Sequence, residues 1–435
     1  MRTRDDTAPL VPGGSGDPPS GEARPMRILT FSSLYPNRAM PNFGIFVENR
    51  LRHLVGSGAV DVRVVAPVPW SPGRRRWLGN EGRWAEVPAR EVRHGLEILH
   101  PRYARLPRYG LATQALLMAA GTLGTLRALR RDGFDFDLID AHFYYPTGVA
   151  ALLLGHWLDR PVVITARGSD LNHYPQRYPL VRRMIAAAAR RAAASIAVST
   201  PLAETLCALG APSERVHMLR NGVDLDRFRP LDRLQARQRL GLEGPLLASV
   251  GHLIERKGHH LAIEALTRLP GYRLVVAGEG PERRSLGALA AGLGVEERVR
   301  FLGEVPHADL ATVYSAADLL VLASSREGWA NVLLEAMACG TPVVAAKVEG
   351  VPELVTKAAA GRVLRGRSAE ALAEAVHAVL ADPPAREAVR RHAEGFSWDA
   401  TTAGQLAVFR AALAGRTHGV PQARPLSAAD GSAAG

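Results

Sequence analysis

Beyond residue 25 the chain alternates short β-branched and aliphatic runs with longer stretches whose apolar positions recur at helical spacing, the pattern of parallel sheets built from βαβ units. The strand-like runs fall into two sets. The first is Met26 to Phe31, Val62 to Ala66, Leu138 to Ala141, Pro161 to Thr165, Ser195 to Ser199 and Val216 to Leu219. The second is Leu246 to Val250, Arg273 to Ala277, Val299 to Leu302, Leu319 to Leu322 and Pro342 to Ala345. Residues 221–244, where Asn-Gly and Phe-Arg-Pro interrupt any period, read as a linker. The expected fold class is therefore α/β, with two Rossmann-like domains at 26–220 and 245–395 whose parallel sheets face each other across a cleft. Residues 396–414 read as a closing helix with Ser397 at its N-cap. Residues 1–25 and 415–435 read as disordered tails, and the weakly periodic Ser71 to Arg108, with its Arg74-Arg75-Arg76-Trp77 run, as an exposed excursion.

A length of 435 residues favours two domains, and 47% hydrophobic with 22% charged residues excludes wholesale disorder. Cys207 and Cys339, far apart in apolar helical patterns, fit buried thiols in a reducing, cytosolic compartment. The longest uncharged stretch, Leu111 to Leu126, is too short and too interrupted to span a membrane. Net charge is +12, and the 25 Arg and 14 acidic residues between Met26 and Arg215 place +11 of it in the first domain. Such a face attracts phosphate-bearing partners or is simply a solvated arginine surface. Lys257 is one of three lysines in the chain, against 51 arginines.

The segment Ala323 to Glu353 follows a strand directly. Within it Glu335 is the only charged residue on a helix from about Ala330 to Cys339, beside Val332, Ala336 and Cys339. A buried carboxylate needs either a buried base or a ligand with hydroxyls to offer. The helix start at Gly328, Trp329, Ala330 and Asn331 offers N–H groups suited to a phosphate, which favours the ligand. Glu327, eight residues before Glu335, lies in the strand-to-helix loop. The run Ser249-Val-Gly-His-Leu-Ile-Glu-Arg-Lys-Gly258 brings Arg256 and Lys257 to another strand end, where two cations neutralise a diphosphate or merely decorate a polar loop. In the first domain Gly44, His142 and Ala166-Arg167-Gly-Ser-Asp170 converge on one sheet edge. No Walker A, G-x-S-x-G, H-E-x-x-H or paired C-x-x-C motif is present, and no ligand spacing proposes a metal.

These residues resemble those of the retaining GT-B glycosyltransferases of family four, the group-one transferases that use nucleotide-diphosphate sugars, over nearly all of Met26 to Leu413. The E-x7-E pattern from Glu327 to Glu335, followed by Ala-Met-Ala-Cys-Gly-Thr-Pro-Val-Val-Ala, is similar to the family's most specific signature. Supporting matches are Arg-Lys-Gly258, Ala-Gly-Glu-Gly280, Phe-Leu-Gly303, Asn-Gly-Val-Asp224 and Phe-Ser-Trp398. The resemblance implies that Glu335 binds the donor ribose, Glu327 the transferred sugar and Lys257 the diphosphate. It also implies that Gly44 lines the phosphate side, that His142 contacts the sugar near its reacting carbon, that the helix around Trp398 crosses back to the first domain, and that neither metal nor other cofactor is needed. His252 stands where many relatives have arginine, so Arg256 is expected to supply the second charge. Arg167-Gly168 in place of a His-Gly pair resembles the branch acting in teichuronic-acid and exopolysaccharide biosynthesis, and makes Arg167 and Asp170 acceptor-side candidates.

The expected activity is sugar transfer from a UDP- or GDP-type donor to a glycan or lipid-linked acceptor, with retention by front-face substitution. A helix from Leu180 to Ala197 carrying Arg182, Arg183, Arg190 and Arg191 suits peripheral contact with anionic lipid. A nucleotide-sugar epimerase on the same architecture and a basic nucleic-acid binder are the alternatives. Against the last, no aromatic and basic residues interleave on one sheet face, so nucleic acid is not an expected partner.

Overall fold

The computed structural model describes residues 24–70, 80–106 and 110–415. Both tail segments, apart from their inner edges, lie outside the described residues, as do Arg74 to Trp77, Arg108 and Tyr109. The strands are β1 (Met26–Ser32), β2 (Val60–Val65), β3 (Val68–Pro69), β4 (Arg90–Arg93), β5 (Leu96–Leu99), β6 (Arg102–Tyr103), β7 (Leu138–His142), β8 (Val162–Ala166), β9 (Ala194–Ala197) and β10 (Val216–Met218) in the first half of the chain. The second half supplies β11 (Leu246–Val250), β12 (Arg273–Ala277), β13 (Val299–Gly303), β14 (Leu319–Leu322), β15 (Val343–Ala345) and β16 (Gly361–Val363).

One sheet runs β10-β9-β8-β7-β1-β2-β5-β4, a second runs β13-β12-β11-β14-β15-β16, and β3 pairs with β6 in a third of two strands. All pairings are parallel except β4 with β5. Helices cover both faces, so the central strands β7, β8, β11 and β14 are buried throughout and read as largely apolar runs, interrupted in β7 by Asp140 and His142. Strand order reverses beside β1 in the first sheet and beside β11 in the second. Crevices open at such reversals, outside the carboxyl ends of the strands. That rule selects the ends of β1 and β7 on one side and of β11 and β14 on the other.

The terminal helix Trp398–Leu413 leaves the second domain and packs Leu406, Val408, Phe409 and Ala412 into the cluster formed by Ile28, Val47, Leu51, Val62 and Val64 of the first. Each large buried side chain there contributes about 2 kcal/mol. Ser397 occupies the N-cap position, but its side chain makes no capping bond.

Several expectations need correction. The stretch Ser71 to Arg108 is no mere surface excursion: β5 extends the first sheet beside β2, with Ile98 fully buried. Four-residue strands are too short to show a period. The linker holds a helix, Arg233–Leu240, which Asp232 caps by accepting from Gln235 N–H, and Arg233 and Arg237 both pair with Asp318. The arginine-rich helix spans Pro179–Arg191 and stops where Ala192 turns extended, because Ala194–Ala197 pairs with β8 and β10. Cys339 is buried, whereas Cys207 is exposed, on the face of Thr200–Ala208 opposite the buried Leu202 and Leu206.

Candidate functional site

The loops after β11 and β14 lie side by side because those strands are neighbours. Ser325 N–H donates to the Arg256 carbonyl at 2.8 Å, and Arg256 Nη1 returns a bond to the Arg326 carbonyl, also at 2.8 Å. This stitching puts Lys257 Nζ 2.6 Å from Glu327 Oε1, which also accepts from Ser324 Oγ at 2.7 Å. The backbone N–H of Glu327 is held in turn by Glu349 Oε2 at 2.7 Å. Burial opposes ionisation of Glu327, but Lys257, Ser324 and Arg256 outweigh it and keep its carboxyl below the usual range. Its Oε2 has no protein partner among the described residues, and Lys257 keeps two further N–H donors.

Glu335 lies on the helix Asn331–Ala338, buried to 7% exposure. The carboxylate does meet a buried base: Oε1 is 3.0 Å from His307 Nε2, and Oε2 accepts from Tyr314 OH at 2.7 Å. Arg227 Nη1 lies 3.0 Å from His307 Nδ1. A guanidinium only donates, so Nδ1 accepts and Nε2–H points at Glu335. Burial again opposes ionisation, and His307, Tyr314 and Arg227 again prevail, holding the pKa low. Each carboxylate oxygen keeps a second lone pair, enough to accept from a vicinal diol. His307 and Tyr314 were missed by sequence reasoning. Their only signal was polarity in otherwise apolar or turn-like surroundings.

Asn331 opens that helix. Among the described residues no acceptor faces the N–H groups of Gly328, Trp329 or Ala330. The side chains of the last two look elsewhere. Trp329 Nε1 donates to the Asn221 carbonyl at 3.1 Å and its ring packs near Phe396, so it anchors the linker; Ala330 is core. Only the backbone N–H groups of these two residues, for which the sequence singled them out, stay open to a ligand.

In the first domain Gly44 has φ 72° and starts the helix Ile45–Gly56, and a β-carbon there would lie 2.4 Å from the Leu34 carbonyl. His142 ends β7 almost wholly buried, with Nε2 3.2 Å from Asp140 Oδ2 and Nδ1 2.7 Å from Arg167 Nη2. Burial, ahead of its neighbours, lowers its pKa, so the ring is neutral and the arginine fixes the tautomer with hydrogen on Nε2. Both ring nitrogens are thus engaged by protein, so any contact of His142 with a sugar would use the ring's carbon edge or face. The network continues from Arg167 Nη1 to Asn221 Oδ1 at 3.1 Å and from Asn221 Nδ2 to Asn331 Oδ1 at 3.3 Å. On the other flank Gln405 joins Asp140 at 3.1 Å to Arg50 at 2.7 Å. Burial and the nearby Arg50 push the Arg167 guanidinium down to about 9, which leaves it charged at neutral pH.

Asp170 is fully buried and accepts from the backbone N–H groups of Tyr144, Arg167 and Gly168 at 2.8, 3.1 and 2.7 Å. It shapes the loop and does not face an acceptor, which corrects its expected place. Arg167 is partly exposed, and its carbonyl faces Gly328 of the other domain.

The two halves touch. A β-carbon on Gly328 would lie 2.1 Å from the Arg167 carbonyl oxygen, and one on Gly168 would lie 2.8 Å from the Gly328 α-carbon. Polar bridges flank this contact: Asn42 Nδ2 to Glu304 Oε1 at 2.8 Å, Arg220 to Glu353 through Nε at 2.9 Å, and Arg326 Nη1 to His173 Nδ1 at 2.9 Å. His252, by contrast, is exposed. The site therefore combines two ionised carboxylates with spare lone pairs, an ammonium group and unpaired N–H donors. Such a set recognises hydroxyls beside an anion. Among the described residues no three metal-ligating side chains converge, and no helix is long and apolar enough to cross a membrane.

The family described as Glycosyltransferase Family 4 matches residues 43–227, and that described as Glycosyl transferases group 1 matches residues 232–396. The chain is 35% identical to the D-inositol 3-phosphate glycosyltransferase of Mycobacterium tuberculosis over 330 residues, 71% of this chain and 68% of that protein. Its fold is similar to that of sucrose-phosphate synthase from Thermosynechococcus elongatus, with TM-score 0.74 and 22% identity over 90% of this chain and 100% of that one. It is also similar to Anabaena HepE in complex with UDP and glucose, with TM-score 0.68 and 22% identity over 89% and 100% of the two chains.

Proposed function

The chain belongs to the group 1, family 4 glycosyltransferases, with their two-domain GT-B fold, and from that premise we propose that it moves a sugar from a nucleotide-diphosphate sugar to a glycan or lipid-linked acceptor with retention of configuration. The observation that carries the reading is the pairing of Glu327 with Lys257 at one loop junction, one helix start away from the ionised Glu335. In this reading Glu335 accepts from the ribose hydroxyls and Glu327 Oε2 from a hydroxyl of the transferred sugar. Lys257, with the N–H groups of Gly328 to Ala330 and Gly44 opposite, receives the diphosphate, while the Asn331 N–H is bonded to the Trp329 carbonyl. Arg256 adds charge, although Arg326 already engages its guanidinium. His142, locked between Asp140 and Arg167, acts by shaping the wall beside the reacting carbon.

Transfer breaks the bond from the anomeric carbon to the phosphate oxygen and forms one to the acceptor oxygen on the same face, while the acceptor's proton passes to the departing phosphate. Glu327 is held by Lys257 and Ser324, which suits binding better than attack on the anomeric carbon. Cations at the leaving group stabilise charge that develops only in the transition state. Contact between Gly168 and Gly328 closes the cleft over the donor and limits hydrolysis.

The acceptor belongs, in this proposal, to cell-surface polysaccharide or glycolipid synthesis. The helix Pro179–Arg191 supports it by burying Val181, Ile185, Ala188 and Ala189 while exposing Arg182, Arg183, Arg190 and Arg191, a face suited to anionic lipid. Flotation with anionic vesicles at rising salt tests that contact, and retention indifferent to lipid charge would dismiss it. The transferase reading itself is tested by thermal denaturation with UDP, GDP, ADP and their sugars. Selective stabilisation by one nucleotide series is expected, and no stabilisation by any would refute it.

A further inference from the structure

Beside the donor contacts lies a basic cluster of which the assignments above use only Arg256. Arg326 precedes Glu327, yet its guanidinium turns away and reaches across the gap to His173 Nδ1 at 2.9 Å. Arg177 lies one turn beyond His173, its N–H bonded to the His173 carbonyl, and Arg256 is tied to Arg326 through the latter's carbonyl at 2.8 Å. None of the three guanidiniums pairs with a carboxylate among the described residues. The nearby acids are Glu327, already matched by Lys257, and the half-buried Glu349, which accepts from the Glu327 N–H. Cations therefore outnumber carboxylates at this point. All three guanidiniums help to hold the His173 ring neutral, after burial.

The wall beside this cluster is aromatic. Tyr174 stands 5.7 Å from the His173 ring, 5.9 Å from Tyr145, and 6.3 Å from both Phe143 and Tyr178. Arg177 lies over Tyr178 at 5.9 Å. Aromatic faces favour the apolar C–H face of a pyranose, and unpaired guanidiniums favour a carboxylate or phosphate.

We propose that Arg326, Arg177 and His173, backed by Arg256 and the Tyr174 wall, form a subsite for an anionic substituent, a carboxylate or phosphate carried by one of the two sugars that meet in the cleft. The proposal rests on the transferase reading and deepens it. Because Arg326 comes from the donor domain and His173 from the acceptor domain, an anion bound between them also holds the domains together. His173 is freed from Arg326 when the anion takes up the guanidinium.

The test is calorimetric, with wild-type protein and the Arg326→Gln and Arg177→Gln variants. One arm compares UDP-glucuronate with UDP-glucose. The other, with UDP saturating, compares glucose 6-phosphate and glucuronate with glucose. The proposal expects at least one anionic ligand to bind about tenfold or more tightly than its neutral counterpart, as charge-assisted bonds of this kind do. It expects that preference to shrink in both variants. The arm that responds identifies which sugar carries the charge. Equal binding within both pairs, absence of binding by every anionic probe, or a preference that survives both substitutions would overturn it. Loss is separable from failure of the transferase reading, because wild-type protein that binds UDP without charge preference sinks only the subsite, whereas failure to bind any of UDP, GDP and ADP sinks the donor site.

Discussion

Replacing Gly328 by alanine tests whether transfer needs the two domains in contact. The new β-carbon would lie 2.1 Å from the Arg167 carbonyl oxygen and 2.7 Å from the Gly168 α-carbon, where ordinary contacts begin at 3.4 Å. Both obstacles are backbone atoms of the facing domain, so no rotamer change relieves them. Gly328 itself lies outside the left-handed region, and alanine adds no backbone strain within its own loop. The facing loops must therefore separate by roughly 1 Å, a displacement that at a reacting centre costs about 100-fold in rate. The assay is steady-state sugar transfer beside UDP titration and thermal melting. The expected result is a kcat loss of that order with unchanged melting temperature and unchanged UDP affinity, since the nucleotide contacts belong mainly to the second domain. A variant with near-wild-type kcat would refute the closure argument. A variant that melts early would move the effect from closure to folding.

Asp170→Ala strips three buried backbone N–H groups of their acceptor; at about 1 to 3 kcal/mol for each unsatisfied donor, destabilisation of at least about 3 kcal/mol is expected by urea denaturation. An unchanged midpoint would contradict the loop-shaping assignment. His259, bonded to Ser249 Oγ at 2.8 Å, has its pKa pushed down to about 4 by burial first and Lys257 second. The folded state then binds fewer protons than the unfolded chain, whose histidines titrate near about 6.5, so stability falls as pH drops through that window, by about 3 kcal/mol for this ring. His259→Gln is expected to flatten the acid slope of a denaturation series between pH 7 and 4, and an identical slope would refute the linkage.

Much of this site was legible from local pattern. Glu335 stood out as a lone acid on an apolar helix, and Lys257 as a rare lysine after a strand, because burial and charge leave one-dimensional traces. What escaped was pairing across distance. Nothing local to Glu335 announces His307 or Tyr314, and nothing local to His142 announces that Arg167 and Asp140 occupy both its nitrogens. The misplacement of Asp170 has the same origin: a polar residue at a strand end looks alike whether it faces a ligand or ties down its own loop. The edge strand β4 and its neighbour β5 were too short for a period, whereas the buried central strands declared themselves as largely apolar runs. Arg326 went unnoticed because the side chain it meets, His173, belongs to the other domain.

The central claim is that Glu335 and Lys257 hold a nucleotide diphosphate. Its most direct measurement is titration calorimetry of UDP, and of GDP and ADP if UDP is silent, into wild-type protein, Glu335→Gln and Lys257→Ala. One site per chain is expected, with affinity falling about tenfold or more in each variant, the loss due to one charge-assisted contact, measured at a temperature where each variant remains folded. Equal affinity in all three proteins, or no binding of any nucleotide to the wild type, would contradict the account.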